Sequence, residues 1–246
     1  MIYALAALCS LLSVHVGAFC AHAEQPTIDL MAVHTPPMAM DNTDEPGAVL
    51  ALVMAATERA GLTPKVSFLP WRRAQEMVTS GKDMLIAPLT LLPSRAEKFT
   101  WIGPICRIER SIASLKYRID SLEQAMAERR TLVVGAGSAQ DQQLRDMGYP
   151  AELIVTTPLG TREAEMLATG RVDGWYSGTQ QIRWRWQREG RHEALIIGDP
   201  VSVDQIQLGC SRDCDPTLAA TLRSALQSLR DDGTADRILA KYALYY

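Results

Sequence analysis

From residue 27 onward the chain alternates two kinds of segment. Short extended runs, such as TIDLMAV at 27–33 and KVSFL at 65–69, are each followed by a stretch of helix length. Several of those stretches stop at a glycine: Gly61, Gly81, Gly148 and Gly170. Parallel strands need a crossover long enough to hold a helix, whereas an antiparallel hairpin needs only a tight turn. This alternation therefore predicts an α/β fold built on a parallel or mixed sheet.

Each segment has its own signal. Residues 48–60 are apolar nearly all round, which predicts a buried helix ending at Gly61. Pro70 and Trp71 open a second helix that runs to Ser80, and 84–87 is a strand. Residues 111–117 are extended, and Asp120 with Glu123 forms a capping-box signature. A strand at 131–134 enters Gly135-Ala136-Gly137-Ser138, and a glutamine-rich helix follows to Gly148. Strands at 153–155 and 172–176 enclose a helix at 161–169, and another helix covers 179–188. Leu218, Leu222, Ala225, Leu226 and Leu229 share one helical face. Asp231-Asp232-Gly233 breaks that helix before a short terminal one reaching Tyr242. The pattern helix, glycine, basic residue, aspartate, strand occurs around Gly81-Lys82-Asp83 and again around Gly170-Arg171-Val172-Asp173, which suggests two similar α/β lobes.

At 246 residues the chain has room for one large domain or two small ones. A net charge of -3 argues against a nucleic-acid partner, which a strongly basic surface would announce. Residues 1–23 hold no Asp, Glu, Lys or Arg and end in Ala21-His22-Ala23, the small-residue pattern of a signal-peptide cleavage site. The expectation is a mature chain beginning near Glu24 and exported to the periplasm. The basic residue that usually precedes such an apolar run is missing, which keeps an uncleaved anchor as the alternative. Phe19 before Cys20 speaks against a lipoprotein anchor. The mature chain then holds Cys106, Cys210 and Cys214. In an oxidising compartment Cys210 and Cys214 can close a small disulfide loop. A zinc site would need His34 and His192 as well, and they stand in no ligand spacing, so no metal or cofactor is expected. Cys106 reads as a small buried hydrophobe.

Chemistry enters at APLTLLPSR, residues 87–95, where an apolar run stops at a proline and delivers Arg95 with no acid before Glu97. It stands among Pro36-Pro37-Met38, Pro70-Trp71-Arg72-Arg73-Ala74, Gly137-Ser138-Ala139, Gly170-Arg171-Val172-Asp173 and Asp232-Gly233-Thr234. In that order and spacing the chain resembles the bacterial periplasmic solute-binding proteins of the polar-amino-acid type, family 3. The resemblance implies a two-lobe fold that closes on a ligand. Residues 24–110 plus 205–246 would form lobe 1 and 111–204 lobe 2, with hinge crossings near 108–115 and 201–208. It also implies that Arg95 grips the carboxylate of a small anionic solute, helped by Thr90 and Leu89. A guanidinium suits that task because its planar fork pairs bidentately and keeps its charge. Ser138 and Ala139 would touch the same carboxylate from a helix N-terminus. Trp71 would pack on the ligand body, and Tyr176 would add an aromatic wall. The partner would be an inner-membrane ABC permease and the protein a monomer.

One departure concerns the ligand's amine. Relatives usually carry an aspartate five residues after the aspartate of the second glycine turn, and here that position is Gly178. Either Asp41 or Asp44 replaces it, or the ligand is not an α-amino acid. Arg183-Trp184-Arg185-Trp186-Gln187-Arg188 reads as a solvated helix face with its tryptophans turned inward, or as a docking surface for a membrane partner. Two other functions stay in view: a cyclohexadienyl-dehydratase-like enzyme on the same fold, and a sensor or accessory protein. Catalysis would need a positioned acid or base, for which the sequence offers few candidates.

Overall fold

The computed structural model describes residues 25–245. The signal peptide expected at 1–23 lies outside the described residues. The chain begins with β1 (Thr27–Ala32), α1 (Ala48–Arg59), β2 (Thr63–Phe68), α2 (Trp71–Ser80) and β3 (Leu85–Thr90). β1 pairs in parallel with β2 on one side and β3 on the other. A short 3-10 turn at Pro93–Arg95 leads into β4 (Thr100–Ser114). There follow α3 (Leu122–Ala127), β5 (Leu132–Gly135), α4 (Ala139–Asp146), β6 (Ile154–Thr157), α5 (Glu163–Ala168), β7 (Gly174–Gly178) and α6 (Thr179–Arg188). β5 is parallel to both β6 and β7. The chain closes with β8 (Ile196–Ile197), β9 (Ser202–Cys210), α7 (Pro216–Asp231) and α8 (Thr234–Ala240).

The sheet order is β2-β1-β3-β9-β4-β7-β5-β6, with β8 beside β4. Two parallel triplets, β2-β1-β3 and β7-β5-β6, are thus held apart and joined by the antiparallel pair β9 and β4. Buried apolar residues divide the same way. One cluster gathers Leu30, Leu52, Ile105, Leu208, Leu222 and Leu226, from both ends of the described chain. Two others gather residues from the middle, Ile112, Leu132 and Tyr176 in one and Val133, Trp175 and Ile182 in the other. The result is two lobes, each with helices packed on a parallel sheet, sharing two long strands.

Three expectations need correction. β4 starts at Thr100, well before the extended segment read at 111–117. Gly103-Pro104 looks like a strand breaker, but register shifts beside both residues absorb it as bulges. The capping box of α3 is offset by one residue: Ser121 Oγ accepts from the Gln124 N–H at 3.0 Å, and Gln124 Oε1 accepts from the Asp120 N–H at 2.9 Å. In α6 the basic residues are not all solvated. Arg185 is buried and its guanidinium meets Glu163 Oε2 at 2.7 Å, while Trp186 is buried as expected.

Candidate functional site

Strand ends and helix starts of both lobes converge on one cavity of about 30 Å³, room for about two water molecules. The segment after β1 contributes Val33, Thr35 and Met38, and α2 contributes its first residue, Trp71. β3 contributes Pro88 and Thr90, the 3-10 turn Arg95, and β4 Arg110. From the other lobe come Ser138, Ala139 and Gln140 at the start of α4, Leu159, Ser177 of β7 and Gln181 of α6. Ile206 of β9 completes the wall.

Arg95 is 6% exposed. Pro93 at the start of its turn turns the chain back, so that the side chain reaches inward. Nη1 donates to the Thr90 carbonyl at 3.3 Å, and Nη2 donates to the Gly137 carbonyl at 2.9 Å. Among the described residues no carboxylate forms an ion pair with it; Glu97 does not reach it. Burial, reinforced by the nearby Arg110, pushes its pKa down to about 10 against a smaller pull from Asp204. The charge is intact at neutral pH and poorly compensated.

Arg110 is 3% exposed and lines the same cavity. Nε donates to Asp204 Oδ2 at 2.9 Å, Nη1 to Gln181 Oε1 at 3.3 Å and Nη2 to Thr90 Oγ1 at 3.2 Å. Gln181 Nε2 in turn donates to Thr35 Oγ1 at 2.6 Å. A polar chain thus runs from β4 and β9 through α6 to the loop after β1.

The α4 turn is built as its glycines suggest. Gly137 has φ +72°, and a Cβ there would lie 2.8 Å from Arg72 Cγ. Ser138 caps α4 by accepting from the Asp141 N–H at 3.2 Å. One feature of the turn departs from a plain anion cradle. Asp141 Oδ2 already accepts from the Gly137 N–H at 2.9 Å, and Arg145 balances that carboxylate at 2.8 Å.

Arg95, Thr90, Trp71, Ser138 and Ala139 therefore lie on one wall system. Leu89 and Tyr176 do not. Alternation along β3 turns Thr90 into the cavity and Leu89 to the opposite face, among Met31, Trp71 and Phe99. Tyr176 packs with Ile112 and Leu144, its hydroxyl donating to Gln143 Oε1 at 2.9 Å, and its neighbour Ser177 takes the cavity position. Asp41 and Asp44 are exposed and do not line the cavity. Arg110 and Gln181 are the residues that sequence reasoning missed. The available signal was weak: ICRIERSI, which overlaps the expected hinge crossing, holds two arginines, Arg107 and Arg110.

Beside this cavity lies an apolar cleft of about 510 Å³ lined by Phe68, Leu69, Pro70, Pro158 and, on the shared wall, Val33, Trp71 and Leu159. Away from the site, Cys210 and Cys214 are joined by a disulfide with Cα atoms 5.9 Å apart. Cys106 is a buried free thiol whose pKa burial pushes up to about 12, which leaves it unreactive.

The sequence profile of the bacterial extracellular solute-binding proteins, family 3, matches residues 30–245, nearly the whole described chain. The chain belongs to that family. Solved structures repeat the two-lobe periplasmic-binding fold. A histidine kinase sensor domain similar to periplasmic binding proteins superposes with TM-score 0.81 at 18% identity, over 89% of this chain and 97% of that one. A mutant of ArgBP from T. maritima gives TM-score 0.77 at 17% identity, over 88% and 94%. A substrate-binding protein of an ABC uptake transporter from Streptococcus pneumoniae, with bound histidine, gives 0.76 at 18%, over 88% and 92%. At these identities the likeness is one of fold. No protein of curated function matches by sequence. Members of this family bind small solutes.

Proposed function

We propose that the chain is a periplasmic receptor that traps a small carboxylate-bearing solute, an amino acid or a related organic anion, between its lobes and delivers it to an ABC permease. In this reading 24–110 plus 205–246 form one lobe and 111–204 the other, with β4 and β9 as the hinge. The observation that carries it is Arg95: a buried guanidinium on the cavity wall, bonded only to carbonyls among the described residues. A carboxylate is the partner that such a group lacks, and burial makes the pairing stronger than it would be in water. The enzyme reading gains no support from the wall. Among the described residues it carries no Asp, Glu, His, Cys, Lys or Tyr to act as general acid or base.

A thermal-shift screen of carboxylates, amino acids and non-carboxylate controls tests the proposal, since a solute bound only by the folded state raises Tm. Stabilisation confined to carboxylates supports it. Stabilisation by neutral or cationic solutes alone overturns it. A sensor role shares the same ligand chemistry; uptake of the hit solute by cells with and without the receptor separates delivery from signalling.

A further inference from the structure

The charge balance of the cavity narrows the ligand beyond a carboxylate, a narrowing that rests on the proposed carboxylate site at Arg95. The charged residues on the wall are Arg95 and Arg110, and no acid lines it among the described residues. The nearest carboxylate, Asp204, is fully engaged. Oδ2 accepts from Arg110 Nε at 2.9 Å, while Oδ1 accepts from Gln143 Nε2 and Ser202 Oγ, each at 3.3 Å. Two guanidiniums and one carboxylate leave a single positive charge, enough to balance one ligand carboxylate and no more. An ammonium brought into this cavity would meet two cations and no free anion, and a buried charge without a partner is strongly disfavoured.

Arg110 also shows what it accepts in place of an ammonium. Its two Nη atoms bond a hydroxyl, Thr90 Oγ1, and an amide carbonyl, Gln181 Oε1, at 3.2 and 3.3 Å. These lie at the long end of the hydrogen-bonding range and leave a charged donor with room for a better acceptor. The donors of Arg95 and Arg110 reach the carbonyl and the hydroxyl of one residue, Thr90. Those oxygens sit on carbons separated only by Cα, so two ligand groups met by both arginines sit within one or two bonds of each other along the ligand. Beside neutral polar groups such as Ser138, Gln140 and Ser177, the wall holds Val33, Trp71 and Leu159, which carry it on into the neighbouring apolar cleft.

We infer that Arg110 is a specificity-determining ligand contact, and that the solute is an oxo or hydroxy carboxylate with an apolar body: the carboxylate meets Arg95, the oxo or hydroxy oxygen on carbon 2 or 3 meets Arg110, and an ammonium in that place is turned away. Calorimetric titration with matched amino, hydroxy and oxo acids, substituted at carbon 2 or at carbon 3 and carrying methyl, isobutyl or benzyl groups, tests it. In at least one matched set the oxygen-bearing acid binds the wild type about tenfold or more tighter than its amino counterpart, a difference of roughly 1.4 kcal/mol. Arg110→Gln combined with Asp204→Asn removes both charges together, so neither is left buried alone. In that variant the preference should shrink to within about threefold, a change that a merely structural ion pair would not produce. If circular dichroism shows the double variant unfolded, the wild-type series decides alone. Amino acids that bind as tightly as their oxygen counterparts, and lose that binding in Arg95→Ala, overturn this inference while leaving the carboxylate site standing. Failure of every acid to bind, or binding indifferent to Arg95→Ala, overturns both.

Discussion

Replacing Arg95 with alanine separates what the residue does for the ligand from what it does for the fold. At hydrogen-bonding distance in a partly desolvated cleft, a carboxylate and a guanidinium attract by about 4 kcal/mol at an effective dielectric near 20. Desolvation removes part of this, and truncation leaves the ligand charge unpaired, so the expected loss is roughly 2–5 kcal/mol, from about thirtyfold to a few thousandfold in Kd. Stability should hardly fall. Without ligand, the fold disfavours the Arg95 charge, since burial and Arg110 push its pKa down to about 10. At neutral pH the group is protonated in both folded and unfolded chains, so that penalty is constant there and alanine removes it. The two states differ in bound protons only between pH ~10 and the ordinary arginine value; there the unfolded chain keeps the proton longer, and stability from this group rises with pH. Set against the gain is the loss of the 2.9 Å bond to the Gly137 carbonyl. Arg95→Lys restores the charge but not the fork and should recover part of the affinity. Calorimetry with a solute identified by the thermal screen, together with ligand-free melting curves, reads both halves. Unchanged affinity in Arg95→Ala would remove the anchor. A ligand-free Tm lower by about 10 °C or more would show that the residue acts mainly as a structural tie.

Thiol counting on the denatured, unreduced mature protein should find one free thiol, Cys106, because Cys210 and Cys214 are bonded to each other; three would refute the pairing. Glu163→Ala should cost about 3 kcal/mol in urea unfolding, since it strips the buried Arg185 of its 2.7 Å partner. Arg185 keeps Glu189 at 2.9 Å, so a cost below about 1 kcal/mol would mean that this second partner suffices. Burial pushes the Tyr149 phenol up to about 12, and its hydroxyl donates to the Arg130 carbonyl at 2.6 Å. Its folded pKa is raised, so its contribution is complete below the unfolded phenol value and is lost as pH climbs toward 12. Tyr149→Phe should lower stability at neutral pH and flatten the fall between pH ~10 and ~12; identical alkaline curves would refute the assignment.

Most of the fold was legible because its signals are local. Glycine stops, the Pro70-Trp71 helix start and the one-faced leucines of α7 each depend on a few neighbouring residues, and α6 begins and ends where its pattern does. What misled were features whose meaning depends on partners. The early part of β4 carries no clear strand signal, and Gly103-Pro104 joins it as a bulge only once β9 is beside it. Arg185 looks like one more basic surface residue until Glu163, from the neighbouring helix α5, folds against it. The site divided along the same line. Arg95 could be placed on the cavity wall from sequence because a turn delivers it visibly. Leu89 was misplaced because a resemblance names a segment, whereas the pleat of β3 decides which of two adjacent residues faces inward.

Arg110 escaped for a reason that bears on function. In sequence it is one charge in a segment that also holds Arg107 and Glu109, and nothing local marks which of the three is buried. Only the pairing of β4 with β9 brings Asp204 beside it. A buried ion pair is weak ground for stability, since well-packed apolar residues of similar size often serve as well or better. Stability alone therefore does not explain an arginine and an aspartate on the two strands that join the lobes. Their position does offer an explanation. The pair holds one guanidinium between the hinge and the cavity, with its remaining donors aimed at Thr90 from one lobe and Gln181 from the other. In the proposed reading, a solute that takes over those donors would touch groups of both lobes at once.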